Sequence, residues 1–431
     1  MEKNSKLDPR LRLMQDADMK GKIVLVRVDH NVVKKGNIKD PYRIEATIGT
    51  LYGIAEKGGR PILMTHVGRP RDKKTGQIRC DQDLSVEPIV EYLRNKLPID
   101  IHSPSFSPEG TKGIVHMDES IRSAIDDLKN GKIGMIYLPN TRWFQGEQSK
   151  GEEREAFCKE LASLAQLFIN DAFGSWQPHV STYDIAKQLP SYAGFLLQKE
   201  LSHLDLVLNP AHPYVAVIAG AKYDTKIGPL KALYSKVDHL ILGGLIYNTY
   251  LAAKYGITIE GVSDEEVTMA KELVEMDQKK KKILELPHLI ESEATDSRSE
   301  GKWRKISLED MKKAGKVNYV VDVAPECFDL PAIRDAILSA KTIFVNAVVG
   351  LMPYFHEGSM ALYRLIFNNQ QAMKLFGGGD TLQELKNLVP GQYLKGLDSA
   401  DTYYFTGGGS VLAAIEQGDP YHIKPVQALM D

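Results

Sequence analysis

Cysteine is scarce: Cys80, Cys158 and Cys327 are the three in 431 residues, and their spacing suits neither a metal cage nor a disulfide framework. No apolar run approaches the ~18 residues that a membrane-spanning helix needs. Neither sign of charge is in excess. Lys+Arg 54 against Asp+Glu 56 leaves a net charge of −2, which argues against wholesale binding to nucleic acid or a membrane surface. Low-complexity segments, heptad runs and solenoid periods are all missing, and the opening MEKNSKLDPR lacks the apolar core of a secretory signal. What is there is ordinary for a globular chain: 43% hydrophobic and 26% charged residues exclude intrinsic disorder. The length predicts two domains of roughly 200 residues. A reduced, cytoplasmic protein is expected.

Short apolar, β-branched runs alternate with longer amphipathic stretches. The first half has runs at 23–28, 61–65, 134–138 and 167–170; the second has them at 214–218, 239–242, 317–321, 342–345, 374–376 and 403–406. Continuous apolar runs without alternation suit strands buried on both faces of a parallel sheet. Segments such as 154–167 and 264–277 supply helices between them. The pattern predicts two doubly wound α/β domains.

The residues that follow each strand carry the chemistry. Val28 leads to Asp29-His30-Asn31, Thr65 to His66-Val67-Gly68-Arg69, Leu138 to Pro139-Asn140-Thr141-Arg142, and Asn170 to Asp171-Ala172-Phe173-Gly174. Ligands of an open parallel sheet bind beyond the carboxyl ends of its strands. Arg27, Asp29, Asn31, His66, Arg69 and Arg142 are therefore expected along one edge of the first domain, with Arg43 and His179 from neighbouring loops. One such residue alone fits a surface ion pair or a turn; several cations delivered by separate strands fit an anion site.

The second half replaces cations with glycine. Ile218 precedes Ala219-Gly220-Ala221-Lys222 and then Lys226, and Leu242 precedes Gly243-Gly244. Phe376 leads to Gly377-Gly378-Gly379-Asp380-Thr381, and Thr406 to Gly407-Gly408-Gly409. Such turns let backbone N–H groups approach phosphate at a helix start, or they only satisfy a tight turn. Neither triglycine is a Walker A loop, and no GxGxxG fingerprint follows a strand. Thr381 with Glu384 also fits a capping box, and Asp380 fits either a helix cap or a place beside phosphate-bound Mg2+.

In order, VLVRVDHNV, PYRIEATI, THVGRP, LPNTRWF, INDAFGS, VAVIAGAKYDTKIG, TIFVNAVVG, FGGGDT and FTGGGS resemble the phosphoglycerate kinase family from about Lys22 to Gln417. The resemblance implies two Rossmann-like domains around a cleft, joined by a helix over 194–209. The first, 1–193, would bind 3-phosphoglycerate; the second, 210–408, would bind ATP or ADP with Mg2+; a tail, 409–431, would return to the first domain. A monomer is implied, with small-molecule substrates and no nucleic-acid or membrane partner. Arg43 and Lys222 fall on positions that touch the transferred phosphoryl group. Arg27, Asp29, Asn31, Arg43, His66, Arg69, Arg142 and His179 fall on the phosphoglycerate side. Gly220, Lys222, Lys226, Gly243, Gly244, Asn346, Gly377, Gly378, Gly379, Asp380, Thr381, Gly407 and Gly408 fall on the nucleotide side, Asp380 with the metal.

Several positions depart from the family pattern. The usual HRAHxST segment is one residue shorter here and has no arginine, Gln177 standing nearest; losing a bidentate guanidinium contact costs about 1.5–3 kcal/mol. The glutamate that takes the ribose hydroxyls is replaced by Pro353, DIGPK reads Asp322-Val323-Ala324-Pro325-Glu326, the serine-aspartate of the lysine loop is Asp224-Thr225, and Pro139 replaces a glutamate. These changes leave two competing readings, a kinase for another phosphorylated carboxylic acid and a non-catalytic ligand-binding module.

Overall fold

Aliphatic runs form strands wherever both faces can be covered by helices, and the chain does this twice. The computed structural model describes residues 7–220 and 226–430. They fall into two units: the chain up to Ser202 together with the segment from Tyr421, and His203–Pro420.

The first unit is built on a six-stranded sheet: β1 Ile23–Val28, β2 Arg60–Met64, β3 Ile101–His102, β4 Met135–Tyr137, β5 Leu167–Asp171 and β6 Ser191–Ala193, in the order β3-β4-β2-β1-β5-β6. Every neighbouring pair is parallel. All six residues of β1 are buried. Val24, Val26 and Val28 pack into one cluster with Leu63, Ile89, Leu93 and Ile169, and each such side chain contributes about 1.5–3 kcal/mol of burial. Strands β3 and β6 escape a run-based reading because they are only two and three residues long.

The second unit has β7 Tyr214–Gly220, β8 His239–Gly243, β9 Thr342–Asn346, β10 Met373–Gly377 and β11 Thr402–Phe405 in a parallel sheet of order β8-β7-β9-β10-β11. The run at 317–321 does not join it. Asn318 interrupts that run, its N–H donating to Glu291, and Tyr319–Val323 instead pairs antiparallel with His288–Ser292, which also pairs with Trp303–Ser307. Trp303–Ser307 keeps Arg304 and Lys305 exposed, and its polar composition hides it from an apolar-run search.

The segment 409–431 also divides differently from the sequence expectation. Gly408–Gln417 is a helix of the second unit, packed on Ile227–Lys236 so tightly that a Cβ on Gly228 would lie 2.1 Å from the Glu416 carboxylate. The returning segment begins at Tyr421, whose hydroxyl accepts from Asp8 N–H, and ends with Leu429 accepting from Arg12 N–H at 3.1 Å.

The helix Phe195–Leu208 buries Leu197, Leu201, Leu204 and Val207, a stripe at helical spacing. Its start is held by the end of β5: Asp171 accepts from Leu197 N–H at 3.1 Å, and Thr50 accepts from Phe195 N–H at 3.0 Å. Gly194 is required there, since a Cβ would sit 2.2 Å from Asp171 Oδ1. Complete burial pushes the Asp171 carboxyl up to about 7. An acid whose folded value is raised favours folding while protonated, so this stability is lost as pH rises from the unfolded value near ~4 toward 7. Asp171→Asn keeps the acceptor for Leu197 and cannot ionise. Its Tm should fall less between pH 5 and pH 8 than that of the parent; parallel Tm–pH curves would show that Asp171 ionisation is not linked to folding.

Candidate active site

Four strand ends of the first unit converge on a cavity of about 840 Å3. Arg27, at the end of β1, is 1% exposed. Its Nε donates to Ser181 Oγ at 3.0 Å, one Nη donates to Val28 O, and the other to His66 Nδ1 at 2.9 Å and Ser175 Oγ at 3.3 Å. The Ser181 hydroxyl in turn donates to buried Glu147 at 2.5 Å. Burial lowers the Arg27 pKa and raises that of Glu147, each opposed by the other's charge.

Because a guanidinium only donates, His66 Nδ1 must accept, which leaves Nε2–H as the free donor of a neutral ring. Burial first, then Arg142 and Arg27, hold His66 well below the usual histidine value. His179 is pushed down to about 4 by burial and the same arginines. Arg142 donates to Gly68 O at 2.5 Å, its Nε is buried without a hydrogen-bond partner among the described residues, and burial lowers its pKa to about 10. Asn31 fixes the same turn by accepting from Gly68 N–H at 2.9 Å.

Arg27, Asn31, His66, Arg69, Arg142 and His179 all line this cavity. Asp29 and Arg43 lie outside its lining and pair with each other at 3.1 Å, Asp29 4% and Arg43 24% exposed. Sequence reasoning missed Arg71, Lys73, Gln148 and Ser175, which also line it. Arg71 directly follows THVGRP, so its nearness to the motif was the available signal.

The second unit has a cavity of about 860 Å3 at the carboxyl ends of β7 and β9. Gly220, Lys226, Gly244, Asn346, Gly378, Gly379, Asp380 and Thr381 line it. Lys222 and Asp224-Thr225 lie outside the described residues. Lys226 donates to Ala219 O and to Asn346 Oδ1 at 2.8 Å, and Asn346 in turn donates to Gly377 O at 2.8 Å. Burial lowers the Lys226 ammonium to about 8, opposed by Asp380.

Thr381 does not close a capping box. Gly378 caps this helix without a side-chain bond, and the Thr381 hydroxyl accepts from Ala347 N–H at 3.1 Å, tying the helix start to the loop after β9. Glu384, read from sequence only as a capping partner, is buried on the cavity wall, bonded to the Tyr363 hydroxyl that also donates to Ala347 O at 3.0 Å.

Gly243, Gly377, Gly407 and Gly408 are not among the lining residues. A Cβ on Gly408 would lie 2.5 Å from Gly378 Cα, so the two glycine-rich turns touch backbone to backbone. Gly378 itself, at φ +113, adopts a conformation that favours glycine.

The phosphoglycerate kinase family model matches residues 14–418. The chain belongs to the phosphoglycerate kinase family. A phosphoglycerate kinase of Dictyoglomus turgidum is 32% identical over 409 residues, 94% of this chain and 95% of the relative. One from Lactobacillus acidophilus is 33% identical over 423 residues, covering 94% and 96%. Among solved structures, the phosphoglycerate kinase from Coxiella burnetii superposes with a TM-score of 0.73 at 26% identity over 97% of this chain and 98% of that one. That from Pyrococcus horikoshii shares the fold at a TM-score of 0.71 and 20% identity, covering 97% and 99%.

Against that family, the altered segments take clear structural places. Gln177 lines the first cavity and is exposed. Glu326 pairs with Lys305 at 2.7 Å and is not among the residues lining the second cavity, and Asp322 accepts from Val323 and Gly358 N–H. Pro353 offers no side-chain acceptor to a ribose.

Two neutral histidines beside several arginines have a spectroscopic consequence. His66 and His179 should show no ring titration between pH 5.5 and pH 8 in 15N NMR, while a solvated histidine titrates near ~6.5. A midpoint above ~6 for either would contradict the buried, arginine-bordered setting.

Proposed function

We propose that this protein transfers the γ-phosphoryl group of ATP reversibly to the carboxylate of 3-phosphoglycerate, giving 1,3-bisphosphoglycerate. The observation that carries this is the division of labour: one cavity bordered by guanidinium groups at strand ends, the other by glycine turns with a desolvated lysine. An acyl carboxylate is already a nucleophile and an acyl phosphate already a donor, so the reaction needs positioning and positive charge, not a general base.

In this reading Arg27, Asn31, His66, Arg69, Arg142 and His179 bind phosphoglycerate, and Asp29 orients Arg43. Arg43 and Lys222 meet the charge that builds on the transferring group. Lys226 and the amides at Gly220, Gly244, Gly378 and Gly379 hold nucleotide phosphates, while Asn346 and Thr381 fix the surrounding loops. Gly408 acts by allowing close backbone approach to Gly378.

Among the described residues no group of three His, Cys, Asp or Glu forms a metal cage. That suits a Mg2+ held largely by phosphate oxygens, with Asp380, a hard oxygen donor on the cavity wall, as the protein's contribution. Bound there, the ion would neutralise charge on the phosphates. No described helix is long and apolar enough to cross a membrane; the enzyme is read as a cytoplasmic monomer.

A coupled assay with 3-phosphoglycerate, Mg2+ and a panel of nucleoside triphosphates tests the proposal, and absence of turnover with every nucleotide would overturn it. Lys222→Ala should lower kcat by about 10²-fold, roughly 3 kcal/mol, with little change in nucleotide KM, because its contact is made mainly in the transition state. Lys226→Ala should raise nucleotide KM as well.

A further inference from the structure

The segment around Gln177 supplies no guanidinium to the first cavity, and Arg154, which touches that segment, does not replace it. Arg154 donates to Pro178 O at 2.8 Å and pairs with Asp184 at 2.6 Å, so its charge is already matched. On the same cavity, Arg71 stands at the base of a short hairpin in which Arg71 bridges to Ile78 and Asp72 N–H donates to Gln77 O at 2.8 Å. Ile78 is 3% exposed and its N–H donates to Thr111 O, which anchors the hairpin.

Arg71 is held without being neutralised. One Nη donates to Gln145 O at 2.6 Å and to Ser149 Oγ at 3.2 Å, both uncharged acceptors. Its Nε and other Nη have no partner among the described residues. The neighbouring acid, Asp72, also borders the cavity, yet its Oδ1 is taken by Lys74 N–H, Thr75 N–H and the Thr75 hydroxyl inside the hairpin turn. A guanidinium fixed on one edge and open on the other is preorganised for a planar, two-point contact with phosphate.

We propose that Arg71 makes the guanidinium contact to the substrate's phosphate that the Gln177 segment lacks, so that the hairpin Arg71–Ile78 is part of the substrate site. The inference rests on reading the first unit as the phosphoglycerate side. It supplies the phosphate contact that the missing arginine would have made, and it removes the need to invoke a different acid.

Calorimetry with 3-phosphoglycerate and steady-state kinetics test it together. Arg71→Gln should weaken 3-phosphoglycerate binding about tenfold while nucleotide KM stays within about twofold. The inhibition constant of glycerol 3-phosphate, which keeps the phosphate and lacks the carboxylate, should rise by a similar factor. Should Arg71→Gln fail to fold, Arg71→Lys keeps one bond to Gln145 O and loses the fork, and should still weaken binding at least about threefold. Parent protein that binds 3-phosphoglycerate, with unchanged binding in the folded variants, would overturn the inference and leave the function standing. A loss confined to 3-phosphoglycerate would move Arg71 to the carboxylate and overturn the assignment. Parent protein that does not bind 3-phosphoglycerate would overturn both.

Discussion

Most cations at the two cavities are held by neutral acceptors. Arg27 is fixed by a carbonyl, two hydroxyls and a neutral histidine, Arg142 by Gly68 O, Arg71 by Gln145 O and Ser149, and Lys226 by Ala219 O and Asn346. A carboxylate partner would orient each group equally well and cancel its field. A carbonyl orients it and leaves the charge available, at the cost of a lowered pKa. Arg43, outside the lining of the first cavity, is instead paired with Asp29. Lys226 is an acute case, because it also stands at the N-terminal end of the helix Ile227–Lys236, where the macrodipole disfavours a cation and favours an anion.

Holding charge in this way is expensive, and the parallel sheets make it possible. Taking a guanidinium out of water costs several kcal/mol, offset at Arg27 by charge-assisted hydrogen bonds of about 1.5–3 kcal/mol each and by Glu147 behind Ser181. Those acceptors stay in place because β1 lies between β2 and β5 with every residue buried. The aliphatic core therefore sets the electrostatics of the site. The same logic places Asp171 in the structural part of the first unit: it is a buried acid turned to amide donors at a helix start.

Much of this was legible in the sequence, because a strand's end is marked by the stop of an apolar run. Arg27, Asn31, His66, Arg69 and Arg142 come shortly after or within such stops, His179 comes from a neighbouring loop, and the parallel order brings them to one cavity. Asp29 was legible as a neighbour and not as a partner, since nothing local says that its carboxylate meets Arg43. Arg71 was missed because its role depends on Gln145 and Ser149, more than 70 residues away. Of the two readings of Thr381, the capping box with Glu384 does not form, because its hydroxyl meets the loop after β9 on the cavity wall. The run at 317–321 looked like one more parallel strand, since an apolar run does not carry the direction of its neighbour.

The claim that the site cations are desolvated and held by neutral acceptors is tested most directly at Lys226. NMR of ε-13C-lysine, with the resonance assigned through Lys226→Arg, reads its ionisation in the free protein and with Mg-nucleotide. An ammonium pKa of about 8 in the free protein, rising by a unit or more when the phosphates arrive, is the expected result. A value near ~10.5 that nucleotide does not move would show a solvated lysine and contradict the account.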